Sequence, residues 1–110
     1  MAHDEELAHR LRETLQHEPG VREKRMFGGL AFLIDGKLAV SASGRGGLLL
    51  RVDPADTPAL VAQPHVRRFE MRGRELDGWL HVAPAAIDSD DDLARWVRLG
   101  VGYARSLRAT

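Results

Sequence analysis

The sequence predicts an α+β domain of two layers, an antiparallel sheet with helices packed on it, in the order α-β-β-β-α-β-β-α. Three observations lead there. Helical spacing of apolar residues is concentrated at the two ends of the chain, and the stretch between them alternates with period two around glycine turns. The 110 residues suffice for one buried core but not for two.

The elements follow in order. Leu7, Leu11, Thr14 and Leu15 fall on one side of a first helix, which Pro19 and Gly20 end. Met26 to Ile34 is a nearly continuous apolar run. Asp35-Gly36 behind it is a strong hairpin signal, because both residues tolerate φ > 0. Gly28-Gly29 inside the run reads as a β-bulge in a single strand. A two-residue loop sets Ile34 opposite Lys37, Leu33 opposite Leu38 and Ala31 opposite Val40. Period two then sorts Ala31, Leu33, Leu38, Val40 and Ala42 onto one face, and Leu30, Phe32, Ile34, Ala39 and Ser41 onto the other. Gly44 to Gly47 makes the next turn, and Leu48 to Val52 the third strand of a meander.

Asp53 caps a short helix that Pro54 opens and that runs to about Ala62, ahead of Gln63-Pro64. Val66 to Arg72 and Trp79 to Ala83 form a second antiparallel hairpin around Gly73. The last helix is capped by Asp88 or Ser89 and carries Asp90, Asp91 and Asp92 at the positive end of its dipole. It gathers Leu93, Trp96, Val97, Gly100, Ala104 and Leu107 into one stripe. A glycine there costs about 1 kcal/mol relative to alanine, so Gly100 marks a close crossing of this helix over the sheet.

Composition narrows the function. A hydrophobic fraction of 44% against 29% charged residues is that of a globular soluble protein, and no apolar run approaches the roughly 20 residues of a membrane span. The N-terminal stretch has no apolar core of the secretory kind, which points to the cytoplasm. The absence of cysteine excludes disulfides, thiol nucleophiles and Cys-based metal sites. Net charge is zero, but unevenly composed. Basic and acidic side chains number two against five over residues 1–20, ten against five over 21–74, and four against six over 75–110.

The stretch Lys24-Arg-Met-Phe-Gly-Gly-Leu-Ala-Phe-Leu-Ile-Asp-Gly-Lys37 resembles the signature of TfoX N-terminal domains, of the TfoX/Sxy competence regulators. Its motif residues here are Met26, Phe27, Gly28, Gly29, Asp35 and Gly36. Leu50-Arg-Val52, Pro64-His-Val-Arg67, Phe69 through Gly73-Arg74, Gly78-Trp79 and the closing helix from Leu93 follow in the order typical of short, single-domain members. The resemblance covers about residues 5–108. It implies a two-layer fold like that of secretion chaperones and YjbR-type proteins, and a role in regulating transcription. It supplies no catalytic or cofactor residues. Better-known members assist a cyclic-AMP receptor protein and carry a C-terminal domain, for which 110 residues leave no room.

The residues themselves point to no catalytic machinery, and neither a metal nor a cofactor is expected. No pair among the five histidines has HExxH spacing, GxSxG is absent, and the row Asp88 to Asp92 lacks EF-hand spacing and sits where a helix N-terminus wants carboxylates. Two features are candidate interaction surfaces. Arg67, Arg68, Arg72 and Arg74 concentrate positive charge on one hairpin, and Leu30, Phe32 and Ile34 lie on a second sheet face that three short helices leave partly uncovered. The sequence therefore reads as a non-enzymatic protein-interaction module with a protein partner, a transcription regulator among the candidates, or a second copy in a homodimer. The competing reading is a ligand-binding domain or enzyme with a pocket near Trp79, His81 and Gly28-Gly29. Direct DNA binding ranks third, since neutral charge and the lack of a recognised DNA-binding motif argue against it.

Overall fold

Alternating side chains through the middle of the chain produce six antiparallel strands in one sheet, with helices formed by the amphipathic ends on one side of it. A computed structural model describes residues 5–26 and 28–107; Phe27, in the signature run, lies outside them. The elements are α1 (Glu5–Thr14), β1 (Val21–Met26), β2 (Gly29–Ile34), β3 (Lys37–Ala42), β4 (Leu48–Arg51), α2 (Thr57–Val61), β5 (Val66–Met71), β6 (Arg74–Val82) and α3 (Asp90–Ser106). Short 3-10 turns at Pro54–Asp56 and Pro84–Ile87 lead into α2 and towards α3. Strand order is β1-β2-β3-β4-β6-β5.

The α+β class and the order of elements hold, with one strand more than the meander read from sequence. Val21–Met26 pairs along its whole length with β2, Val21 opposite Ile34 and Met26 opposite Gly29. The Gly28-Gly29 pair therefore marks a hairpin connection and not a bulge. Gly28 takes φ +75°, and a Cβ on Gly29 would run into the Ala42 carbonyl of β3. β1 escapes a reading by periodicity because it is an outer strand whose middle residues, Arg22 to Arg25, are all exposed.

The second correction concerns register. Ile34–Lys37 and Leu33–Leu38 pair as the Asp35-Gly36 turn dictates, both turn residues having positive φ, but Phe32 then pairs with Val40 and Ala31 with Ser41. Ala39 is the extra residue of a β-bulge. Val40 and Ala42 consequently share a face with Leu30, Phe32 and Ile34. That face is the helix-covered one, where these side chains form one core with Leu7 and Leu11 of α1 and Leu93, Trp96 and Val97 of α3. Each fully buried side chain of this size contributes about 1.5–3 kcal/mol.

α3 reaches the sheet at the bulge. A Cβ on Gly100 would stand 2.5 Å from the Ala39 carbonyl oxygen and 2.9 Å from Val40 Cγ1, so the crossing predicted from sequence is real and only glycine permits it. Ser89 caps α3, its Oγ accepting from the Asp92 N–H at 3.1 Å, and Asp53 caps the 3-10 turn ahead of α2, accepting from the Ala55 N–H at 2.9 Å. Between β5 and β6 the pairing jumps from Arg68–Leu80 to Phe69–Leu76, which throws Gly78 out of the ladder. Its N–H donates to Thr57 Oγ1 at 2.7 Å and its carbonyl accepts from the Val52 N–H at 2.9 Å. Thr57 is fully buried, so α2 holds the bend in β6.

Candidate interaction surface

Core membership of alternate residues leaves the other set on the opposite side of the sheet. In β1, Val21 packs on the core and Glu23 pairs with Arg12 of α1, which turns Arg22, Lys24 and Met26 to the uncovered face. Register then draws a row across all six strands on that face: Lys24, Ala31, Ser41, Leu49, His81 and Arg67. Ala31, Ser41 and Leu49 in the middle of this row are buried as well.

The expectation that Leu30, Phe32 and Ile34 form an exposed patch is thereby corrected. They are 7%, 1% and 1% exposed, inside the core. The bulge at Ala39, invisible in the sequence, brings Val40 and Ala42 onto their side, and α1 and α3 close over the whole set.

The four arginines of the second hairpin are separated by its geometry. Arg67 lies on the uncovered face beside His81. Arg68 points to the other side and pairs with Asp77, Nε to Oδ1 at 2.8 Å. Arg72 and Gly73, with φ 54° and 78°, form the turn, and Arg74 begins β6. They are exposed or half-buried but share no single face.

His81 is tied to the glycine turn before β4: its Nε2 lies 2.8 Å from the Gly46 carbonyl oxygen. A carbonyl only accepts, so Nε2 carries a proton in this contact. The ring packs where a Cβ on Gly47 would come within 3.0 Å of Nε2, which explains the glycine. His81 borders two hollows, one of about 60 Å³ shared with Arg45, Arg67, Phe69, Glu70 and Glu75, and an open one of about 360 Å³ shared with His65, Val66, Arg67 and Ala83. Neither is lined by Trp79 or by Gly28-Gly29. Among the described residues no three His, Asp or Glu side chains gather at metal-binding distance.

A larger feature lies where β3 and β4 stop pairing, beyond Val40–Leu50. A groove of about 510 Å³ opens there on the uncovered face. Met26, Leu33, Leu38 and Trp79 give it apolar surface, Leu107 of the segment after α3 lines it too, and Lys24, Lys37 and Arg51 bring three cations; among the described residues no carboxylate lines it. The Arg51 guanidinium lies over the Trp79 ring, 5.2 Å from its centroid, and 5.7 Å from that of Tyr103. Of the signature residues, Met26 and Gly36 line this groove, while Asp35 shapes the turn beside it. Sequence reading missed Lys24, Lys37 and Arg51 because they belong to three strands. The only available signal was the alternation that places Lys24 two residues before Met26.

No helix among the described residues is long and apolar enough to cross a membrane. No curated protein and no solved structure matches the chain. The pattern of the TfoX N-terminal domain does match, over residues 13–104, which takes in every strand, α2 and nearly all of α3 but only the last two residues of α1. With the signature stretch, the sheet order and this match in agreement, the chain belongs to the TfoX N-terminal domain family.

Proposed function

We propose that this domain is a non-enzymatic protein-interaction module of the cytoplasm that acts in transcriptional regulation of the competence type. The observation that carries the reading is the family match over residues 13–104, since TfoX N-terminal domains are a regulatory family and not a known enzyme family. The uncovered sheet face supports it: its open groove combines apolar surface with a cationic rim, the make-up of a surface for a macromolecular partner. In this role the domain binds a protein that acts at promoters and does not itself read DNA.

The test is transcript profiling of the native cell with the gene deleted, complemented by the wild-type chain. The expected result is a defined set of promoters whose output changes on deletion and returns on complementation. An unchanged transcript profile under conditions where the protein is made would overturn the regulatory reading.

A further inference from the structure

We propose that the groove on the uncovered sheet face is a docking site for an acidic peptide segment of a protein partner, one that alternates carboxylates with apolar side chains. The proposal deepens the reading of the domain as a protein-interaction module and rests on it.

Charge complementarity selects the occupant. Lys24, Lys37 and Arg51 come from three different strands to one groove, and its lining among the described residues holds no Asp or Glu. Arg22, two residues before Lys24, adds a fourth cation to the same face. Several carboxylates near these strands are engaged by other cations. Glu23 faces α1 and pairs with Arg12, Asp35 and Glu18 lie against Arg105, and Asp90 lies against Arg10. Glu70 and Glu75 line the separate cavity beside His81, so an anion entering the groove meets cations and no acid among its described lining residues.

The floor selects for apolar side chains between those anions. Met26, Leu33 and Trp79 are half-buried, so each keeps apolar surface in contact with water until something covers it. A peptide that presents carboxylates to the rim and apolar groups to the floor satisfies both. Single-stranded nucleic acid fits less well. Among the described lining residues the one aromatic ring, Trp79, already has the Arg51 guanidinium over its face, where a base would have to stack, and the remaining apolar lining, Met26, Leu33, Leu38 and Leu107, is aliphatic. Strand addition at the outer edge of the sheet is also disfavoured, because β1 exposes the run Arg22-Glu-Lys-Arg25 there, the kind of charged edge that resists pairing. The peptide lies on the face and not along the edge.

The experiment uses the full chain and a fluorescein-labelled peptide of Asp and Glu with Leu and Phe at alternate positions, followed by anisotropy. Two further probes are the same peptide with Ser in place of Leu and Phe, and an oligothymidylate. Binding is expected to be saturable, to weaken with added salt, and to drop about tenfold for the serine peptide. The double variant Lys24→Glu/Lys37→Glu is expected to weaken it about tenfold or more. Arg25→Glu/Arg98→Glu, with the same change in net charge on the helix side, is expected to leave it within about twofold. Amide and indole shifts in a 15N spectrum should move at Lys24, Leu33, Leu38 and Trp79, which also shows that each variant is folded.

The proposal is overturned by lack of saturable binding, by equal loss in both double variants, by shifts that map outside the groove, or by tighter binding of oligothymidylate than of the peptide. A groove that fails while gene deletion still alters transcripts refutes the docking site alone. A groove that binds while deletion changes nothing leaves the docking site standing without the regulatory role.

Discussion

Placing alanine at Gly100 and, separately, at Gly102 should change stability in opposite directions, although the two positions lie on the same helix. Intrinsic propensity favours the substitution equally at both, by about 1 kcal/mol. At Gly102 nothing lies within 4 Å of the added Cβ, so most of that gain is realised, about 0.5–1 kcal/mol. At Gly100 the Cβ would sit 2.5 Å from the Ala39 carbonyl oxygen, where ordinary contact begins at 3.4 Å. The obstacle is backbone, held in a bulge, so it cannot rotate away as a side-chain tip would. α3 has to lift by nearly 1 Å, and a radial gap of about 0.5–1 Å forfeits a quarter to a half of the dispersion attraction across it. Leu93, Trp96, Val97, Val101 and Ala104 all pack through that interface. Overpacking of this kind costs about 1–3 kcal/mol, and a backbone obstacle puts it near the upper end. After the propensity gain, Gly100→Ala is expected to destabilise by about 2 kcal/mol, leaving the two variants about 2–3 kcal/mol apart. Urea unfolding followed by far-UV circular dichroism reads the gap directly, and a thermal melt should separate the variants by about 8 °C or more. Equal stabilisation by both alanines would refute the close crossing and the bulge that receives it.

Thr57→Val is expected to cost about 1–3 kcal/mol in urea unfolding, because it leaves the buried Gly78 N–H without an acceptor; Thr57→Ser, which keeps the oxygen, should cost about half as much or less. Trp96 is 1% exposed and its Nε1–H finds no partner among the described residues, so Trp96→Phe, which removes this donor, is expected to lose only about 1 kcal/mol, whereas Trp96→Ala should lose about 3–5 kcal/mol in the same assay. The hydrogen bond to Glu23 raises the pKa of the exposed Arg12 guanidinium. A raised cation contributes its stabilisation in full below its unfolded-state pKa and loses it only as pH rises through the folded value. Melting curves of the wild type and Arg12→Gln should therefore run parallel from mildly acidic to mildly alkaline pH and converge only in strong alkali; convergence near neutrality would show that the pair acts through another group.

What was legible in the sequence had local causes. Asp35-Gly36 and Gly46-Gly47 sit in turns because their backbones need φ > 0, and Ser89 and Asp53 are caps because their side chains meet the orphan N–H groups of the next turn. Gly100 was legible because a costly residue in an otherwise good helix needs a reason. What escaped had tertiary causes. The extra residue Ala39 is fixed by the arrival of α3 on the sheet, some sixty residues further along, and nothing near Ala39 in the sequence announces it. That one insertion exchanged the faces of Val40 and Ala42, and with them the expected patch at Leu30, Phe32 and Ile34. The arginine cluster dispersed for a similar reason: Arg72 is drawn into the turn and Gly78 bends β6 onto Thr57, so spacing along the strand no longer predicts a shared face.

The uneven charge of the chain takes its meaning from this layering. The acidic ends fold into α1 and α3, which lie together on one side of the sheet, while the basic middle supplies the strands. Of the five carboxylates in residues 21–74, Glu23 turns towards α1, Asp35 sits in a turn near Arg105, and Asp53 and Asp56 belong to the 3-10 segment before α2, while Glu70 lines the small cavity beside Arg67 and His81; on the uncovered face Arg22, Lys24, Arg51 and Arg67 outnumber it. A net charge of zero thus describes two unlike faces that cancel. Long-range attraction depends on the face presented and not on the sum, because at a Debye length of about 8 Å a partner approaching the sheet is screened from the helices behind it. Neutral total charge therefore argues against nonspecific association with nucleic acid as a whole-molecule effect, and leaves the cationic face free to attract a short anionic segment that comes within that distance.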